Sequence, residues 1–202
     1  MSTASRLALK RIGSVASLLV AGALILTGCA SDPLADQYRE GSGKGYIAGD
    51  GTVTEFDASD RGKAVEFSGT TDDGGSFDSS DYAGKVLVVN FWYAGCPPCR
   101  AEAPDLESLN QEFADDNVVF IGVNIRDQAE QSEAFGTKFG VTYPSILDAD
   151  DGNVQLAFSS SIAPNAVPTT LVLDPDGKVA SRILGQVTDP SILETLIKSA
   201  AA

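Results

Sequence analysis

The fold can be inferred from one stretch in which a strand pattern changes into a helix pattern, Lys85-Val-Leu-Val-Val-Asn-Phe-Trp-Tyr-Ala-Gly-Cys-Pro-Pro-Cys-Arg100. Residues 86–91 are an apolar, largely β-branched run, which is typical of a strand buried on both faces. Beyond Cys99, apolar residues recur at spacings of three and four and predict an amphipathic helix; they are Ala103, Leu106, Leu109 and Phe113. Cys96 therefore stands at a helix N-terminus, where the prolines that follow it are tolerated.

The position of the two cysteines predicts redox chemistry. The positive end of a helix favours the thiolate, which is the nucleophilic form of cysteine. A second thiol three positions further on can form a disulfide with the first, or resolve a mixed disulfide that the first has made. We therefore predict that Cys96 is the nucleophile and the more exposed sulfur, and that Cys99 is the resolving thiol.

Two structural roles for this pair are the alternatives. A zinc site usually needs four ligands, and the chain has no histidine and only one further cysteine. A structural disulfide across so short a loop would add little stability. We therefore predict no metal, and no cofactor other than a redox-active disulfide between Cys96 and Cys99.

Composition excludes several classes of function. The chain has 28 acidic and 14 basic residues and a formal charge of −14, which disfavours nucleic acid and anionic headgroups as partners. The absence of histidine removes catalysis by Ser–His and Cys–His pairs and haem ligation through imidazole.

The first 29 residues have the pattern of an export signal. Three basic residues, Arg6, Lys10 and Arg11, precede an apolar segment at residues 12–26 that is too short and too rich in small residues for a spanning helix. It ends in Leu-Thr-Gly-Cys29, which resembles the lipobox of bacterial lipoproteins. We predict that residues 1–28 are a lipoprotein signal peptide and that Cys29 carries the lipid, which anchors the protein to the outer face of the cytoplasmic membrane. A plain signal peptide or an uncleaved anchor is the alternative.

The rest of the chain divides into a tether and a domain. Residues 29–63 are rich in glycine and show no sustained helix or strand period, so we expect a flexible tether. Residues 64–202 begin with a hairpin pattern and then alternate strands and helices, which predicts one α/β domain. Asp174-Pro-Asp-Gly177 is a turn signal between two late strands, and Asp189 is positioned to cap a final helix.

Several motifs of this domain resemble those of a known family. They are Asn90-Phe-Trp92, the pattern Cys-x-x-Cys-x-x-Glu-x-Pro from Cys96 to Pro104, and Val167-Pro-Thr-Thr170. Together they resemble the TlpA/ResA-like thiol–disulfide oxidoreductases, which are membrane-attached proteins with the thioredoxin fold. The resemblance implies a central mixed β-sheet flanked by helices, with an N-terminal β-hairpin and a central α/β insert at about residues 127–160.

The resemblance also implies roles for individual residues. It gives Glu102 a catalytic part in proton handling at the cysteines, although an acid in a first helical turn is also favourable through the helix dipole alone. It implies a cis bond before Pro168, in a loop that presents backbone to an extended substrate. The residues that we predict to bind substrate are Trp92, Pro97, Pro98, Val167 and Pro168. Gly95 departs from the family, which commonly has a large aromatic residue there, and this departure favours a looser loop.

The implied function is an extracytoplasmic enzyme that reduces protein disulfides. Its substrate would be a thiol or disulfide protein, such as apocytochrome c with its haem-binding cysteines, and a membrane thiol donor would re-reduce the enzyme. We expect a monomer. The nearest alternative is a Dsb-like oxidant of exported proteins, since the direction of electron flow depends on the reduction potential. A peroxidase and a non-catalytic lipid-anchored binding protein are more distant alternatives.

Overall fold

The structure, a computed structural model, describes residues 49–163 and 165–201. The strands are β1 (Thr52–Glu55), β2 (Ser68–Thr70), β3 (Ser76–Asp78), β4 (Val86–Trp92), β5 (Val118–Asn124), β6 (Ser145–Leu147), β7 (Thr169–Leu173) and β8 (Val179–Leu184). The α-helices are α1 (Pro97–Glu112), α2 (Ala129–Phe139), α3 (Asn153–Ala157) and α4 (Pro190–Ala200). The predicted signal peptide, the lipidation site Cys29 and the tether as far as residue 48 lie outside the described residues.

Six of the strands form one mixed sheet in the order β1-β8-β7-β4-β5-β6. Strands β4, β5 and β6 are parallel, and β7, β8 and β1 join the other side of β4 as antiparallel neighbours. Buried side chains form a separate cluster on each face of the sheet. The predicted α/β architecture, a central mixed sheet flanked by helices, is confirmed.

Strand β4 is the centre of the sheet, and all seven of its residues are buried. Because side chains alternate along a strand, Val86 and Val88 face one side, where they cluster with Leu106 of α1 and Leu193 of α4. Leu87, Val89 and Phe91 face the other side, which is covered by aromatic side chains that include Phe135 and Phe158. The same alternation directs Asn90 towards α1, and this orientation matters for the site described below.

The N-terminal boundary of the domain differs from the prediction. Strand β1 pairs antiparallel with β8, so part of the segment predicted as tether belongs to the main sheet. Arg61, in the same segment, forms a 2.9 Å ion pair with Asp174. Our prediction of tether up to residue 63 is therefore wrong from β1 onwards. Three of the four residues of β1 are exposed, so this edge strand has no apolar alternation that the sequence could reveal.

The predicted N-terminal hairpin is confirmed as β2 and β3, which pair antiparallel in a sheet of their own. An isolated bridge between Thr71 and Ile146 joins this hairpin to β6. The predicted central insert is also confirmed, since α2, β6 and α3 lie between β5 and β7. Helix α2 ends at Gly140, which has the left-handed φ of 76° that glycine adopts at low cost.

The C-terminal predictions hold as well. Gly177 closes the turn between β7 and β8 by donating its N–H to the Asp174 carbonyl at 2.8 Å. The Asp189 side chain caps α4 by accepting from the Ser191 N–H at 3.0 Å. Across the ranges given above, none of the helices has both the length and the apolar character to cross a bilayer.

Candidate active site

Cys96 and Cys99 form a disulfide at the N-terminus of α1, with an S–S distance of 2.06 Å. Cys96 is the N-cap residue of the helix, and its Sγ accepts a hydrogen bond from the Cys99 N–H at 3.3 Å. In the reduced protein the same N–H group points at the sulfur that would carry negative charge, which favours the thiolate. The structure thus places the two predicted redox residues together and in the predicted order along the helix.

The exposure of the two sulfurs was predicted wrongly. Cys96 is 0% exposed and Cys99 is 2% exposed, so the N-terminal cysteine is not the more accessible residue in the disulfide form. Both cysteines belong to the apolar cluster that also contains Trp92, Tyr93 and Val167. A substrate can therefore reach the disulfide only when neighbouring groups move.

Glu102 lies one turn beyond Cys99 and is fully buried on the face of α1 that meets β4. Its Oε1 accepts from the Asn90 side-chain amide at 2.9 Å, and its Oε2 accepts from the backbone N–H of Val187 at 2.8 Å. Asn90 also donates to the Thr170 hydroxyl at 3.1 Å. The carboxyl group therefore joins the cysteine-bearing helix to β4 and to the loop before α4, and Asn90 extends the network to β7.

The surroundings of Glu102 change its acidity. Burial raises the pKa of Glu102 from 4.5 to about 7, against the opposing effect of the hydrogen bonds from Val187 and Asn90; the charge of Asp105 adds to the rise. A carboxyl group with this pKa can take up and release a proton near neutral pH, which is a property of general acids and bases.

The loop before β7 has the predicted cis bond between Val167 and Pro168. Phe91 of β4 pairs with Thr169 of β7, so the cis-proline lies at the end of the sheet where β4 leads to Cys96. Both loop residues are buried, and the Pro168 carbonyl accepts from the Gly185 N–H at 2.9 Å. This places the two predicted substrate-binding residues of the loop at the disulfide end of the sheet.

The other predicted substrate-binding residues differ in exposure. Pro97 is exposed and Pro98 is half-buried in the first turn of α1. Trp92 is only 5% exposed, and its Nε1 donates to the Ser145 hydroxyl at 3.1 Å. Trp92 lines a surface groove of about 570 Å³ beside α2, and it also borders a small cavity that reaches Cys99.

Tyr143 borders the same small cavity. Burial raises the pKa of the Tyr143 hydroxyl above its ordinary value, and the nearby charge of Glu102 adds to this effect. The phenol therefore remains neutral over the range in which Glu102 titrates. Of these two groups, the Glu102 carboxyl is therefore the one that titrates near neutral pH.

The turn from Tyr93 to Cys96 is tightly held. Its closing hydrogen bond runs from the Cys96 N–H to the Tyr93 carbonyl at 3.1 Å. The Ala94 N–H donates to Asp127 Oδ2 at 2.5 Å, and the Ala94 carbonyl accepts from Arg100 Nε at 2.6 Å. The looser loop expected from Gly95 is therefore not found.

The Tyr93 ring explains why glycine fits at position 95. A Cβ atom on Gly95 would lie 2.8 Å from Cε2 of Tyr93, which is closer than side-chain carbon atoms approach one another. The guanidinium group of Arg126 lies over the same ring, 4.5 Å from its centre. An aromatic side chain is thus present beside Cys96, but position 93 supplies it.

Several residues of the site were missed at the sequence level. Val187 contacts the Glu102 network from a distant part of the chain, and no local pattern connects it with the cysteines. Thr170 ends the Val-Pro-Thr-Thr motif, but its contact with Asn90 was not predicted. Asp127 had a detectable signal, because it follows the carboxyl end of a central strand, where loops of parallel sheets gather around a site.

Comparison with known proteins agrees with this geometry. Residues 57–197 match the Redoxin family. The thiol-disulfide oxidoreductase ResA of Geobacillus thermodenitrificans is 32% identical over 117 residues, which cover 58% of this chain and 64% of that protein. The match therefore spans less than two thirds of the length of that curated relative.

Solved structures give a longer match. A DsbF homologue from Corynebacterium diphtheriae is 31% identical, with a TM-score of 0.66 over 75% of this chain and 94% of that one. A secreted thiol-disulfide isomerase from Corynebacterium glutamicum is 28% identical, with a TM-score of 0.67 over 76% of this chain and 95% of that one. The chain therefore belongs to the redoxin family, and its resemblance to the TlpA/ResA-like thiol–disulfide oxidoreductases with the thioredoxin fold is confirmed.

Proposed function

We propose that this protein is an extracytoplasmic thiol–disulfide oxidoreductase that reduces disulfides in protein substrates through Cys96 and Cys99. The observation that carries the proposal is the disulfide at the N-terminus of α1, with the titratable carboxyl group of Glu102 buried one turn away. Relatives named thiol-disulfide oxidoreductases support the same class of reaction.

The reaction proceeds in two exchanges. The Cys96 thiolate attacks one sulfur of the substrate disulfide, which forms a mixed disulfide and releases the other substrate sulfur as a thiolate. The Cys99 thiolate then attacks Cys96 Sγ, which closes the protein disulfide and releases the second substrate sulfur. Two electrons and two protons pass to the substrate, and a membrane dithiol protein must return them before the next cycle.

Glu102 is suited to hold one of these protons. Cys99 must lose its proton before it attacks, so the resolving step needs a nearby base. Glu102 is buried one helical turn away and has a pKa of about 7, so its carboxylate can accept that proton near neutral pH. We therefore propose Glu102 as the catalytic base for the resolving step.

The proposed location is supported by the N-terminal sequence, and the proposed substrate by the family resemblance. The lipobox-like tetrad ending at Cys29 supports lipid anchoring at the outer face of the cytoplasmic membrane, where disulfides persist. A protein disulfide such as that of apocytochrome c is the substrate that the ResA-like resemblance favours. The extended backbone of such a substrate would lie along Val167 and Pro168, and the exposed ring of Pro97 would border it.

A second candidate function is oxidation or isomerisation of exported proteins. The observation that favours it is the likeness to a DsbF homologue and to a protein named a secreted thiol-disulfide isomerase, each matched over more than nine tenths of its chain. In oxidation the same two exchanges would run in reverse, so that two electrons pass from a substrate dithiol to the Cys96–Cys99 disulfide; in isomerisation the Cys96 thiolate would attack and later leave the substrate with no net electron transfer.

Trapping of the mixed disulfide tests the proposed reaction. In an insulin-reduction assay with dithiothreitol, Cys96→Ser should lose at least ~1,000-fold of the protein-dependent rate, because no nucleophile remains. Cys99→Ser should accumulate a mixed disulfide with a model peptide disulfide, because nothing resolves it. Activity retained in Cys96→Ser, or no adduct in Cys99→Ser, would contradict the assignment.

A further inference from the structure

The turn Tyr93–Cys96, which leads into α1, is held by hydrogen bonds to two charged side chains, Asp127 and Arg100. Asp127, in the loop after β5, accepts from the Ala94 N–H, which belongs to the first peptide group of the turn. Arg100, on the first turns of α1, donates to the Ala94 carbonyl, which belongs to the next peptide group. Each bond has a charged partner and is short, at 2.5 Å and 2.6 Å, so both are of the stronger class of hydrogen bond.

The Asp127 side chain is held in place by Asn124. Asn124, which is fully buried at the end of β5, donates from Nδ2 to Asp127 Oδ2 at 3.0 Å. Its Oδ1 accepts from the backbone N–H groups of Arg126 and Asp127, at 3.0 Å and 2.8 Å. Since Asn124 pairs with Trp92 in the sheet, the carboxylate is fixed relative to the strand that leads into the turn.

Arg126, which precedes Asp127 in the same loop, makes a second contact with the turn through the Tyr93 ring. The guanidinium group lies 4.5 Å from the ring centre, and the ring lies against Gly95. The loop after β5 thus contacts the turn twice, once through the Asp127 carboxylate and once through the Tyr93 ring. These contacts leave little freedom for the backbone that positions Cys96 Sγ.

We propose that Asp127 is a positioning residue for the thiol–disulfide reaction. Together with Arg100 it fixes the Tyr93–Cys96 turn so that Cys96 Sγ can attack a protein disulfide in line with its S–S bond. The inference rests on the proposed function, because the in-line geometry matters only if Cys96 exchanges disulfides. Attack of a thiolate on a disulfide needs defined alignment, and a small displacement of a reacting group costs a large factor in rate.

Loosening of the Tyr93–Cys96 turn should change two reaction rates of Cys96 in opposite directions. A loosened turn should expose Cys96, which is fully buried when the turn is held, and so speed its reaction with a small reagent. The same loosening should slow the reaction with a protein disulfide, because the sulfur is no longer aligned. A role limited to overall stability would not move these two rates in opposite directions.

The test compares Asp127→Ala, Asp127→Asn and the matched control Glu130→Ala, which removes an exposed carboxylate three residues further on. Asp127→Ala should raise the iodoacetamide rate of reduced Cys96 about fivefold in a Cys99→Ser background, and lower kcat/KM for insulin about tenfold with Cys99 present. Asp127→Asn should restore both values to within about twofold, since the amide oxygen can accept from the Ala94 N–H. If Asp127→Ala does not fold, Arg100→Ala tests the second bond and should shift both rates in the same directions.

Two results would overturn the proposal. One is that Asp127→Ala, or Arg100→Ala in its place, behaves like Glu130→Ala in both assays. The other is that Asp127→Asn is impaired as strongly as Asp127→Ala, which would show that charge and not the hydrogen bond matters. The alkylation rate needs no enzymatic activity, so a wild-type protein that fails to reduce insulin would contradict the proposed function and leave the alkylation comparison intact.

Discussion

Two carboxylates contact the segments that carry the disulfide, and they show how the environment of a carboxylate determines what it can do. Glu102 is fully buried beneath α1 and accepts one side-chain and one backbone hydrogen bond. Asp127 is half-buried in the loop after β5 and accepts from the backbone of the turn before Cys96. Burial raises the pKa of Glu102 to about 7, so it is suited to exchange protons, whereas Asp127 is placed to fix backbone geometry.

The comparison teaches that nearness to the cysteines in sequence is a poor guide to role. Glu102 is three residues from Cys99, and its raised pKa suits it to hold a proton. Asp127 is 31 residues from Cys96 along the chain, yet it contacts the residue two positions before that cysteine. Three measurements of stability test this contrast.

The largest effect is expected from Glu102→Ala. The substitution leaves the Asn90 amide without its carboxyl partner and the Val187 N–H without an acceptor, and it opens a void beside α1. We expect a loss of roughly 3–4 kcal/mol in the free energy of unfolding at pH 5. Urea unfolding gives the value, and a loss below about 1 kcal/mol would contradict the tight network around this residue.

The next effect is a dependence of the unfolding free energy on pH, which we expect from the titration of Glu102. Its pKa is raised on folding from 4.5 to about 7, so the folded state holds the proton more tightly than the unfolded state. Stability from this group is therefore complete below pH 4.5 and falls as the pH rises to about 7, by up to about 3 kcal/mol.

The matched variant for this prediction is Glu102→Gln, which cannot titrate. The difference in unfolding free energy between wild type and variant should change across pH 4.5 to 7 in favour of the variant, and it should be constant above pH 8. A difference that stays constant over the whole range would show that Glu102 has an ordinary acidity in the folded protein.

A smaller effect is expected from Asp127→Ala. The substitution removes two charge-assisted hydrogen bonds, from the Ala94 N–H and from the Asn124 amide, at a half-exposed position where water can replace part of the lost contacts. We expect a loss of about 1–1.5 kcal/mol at pH 7, with less than half of this loss in Asp127→Asn. A loss as large as that of Glu102→Ala would place Asp127 among the buried structural groups and remove the contrast between the two carboxylates.

Much of the fold could be predicted from sequence because its signals are local. The buried strand β4, the amphipathic helix after Cys99 and the turn at Asp174 each follow from patterns within about fifteen residues. The edge strand β1 could not be predicted, since its exposed side chains carry no apolar period and its stability comes from pairing with β8.

The site was predictable in part for the same reason. Cys96 caps α1, and Cys99 and Glu102 lie in its first turns, so spacing along the chain placed them together. Their burial and the acidity of Glu102 depend on the strands and loops that close over them, and Asn90, Thr170 and Val187 meet only in the folded chain. The support of the turn by Asp127 likewise depends on the register between β4 and β5.

The most direct test of the central claim is the reduction potential of the Cys96–Cys99 pair. It can be measured by equilibration with glutathione or dithiothreitol buffers, with fluorescence of the single tryptophan, Trp92, as the readout, since its ring borders the cavity that reaches Cys99. A reductant of protein disulfides should titrate as one two-electron couple below about −250 mV. A value near about −120 mV, or a pair that does not titrate at all, would contradict the account.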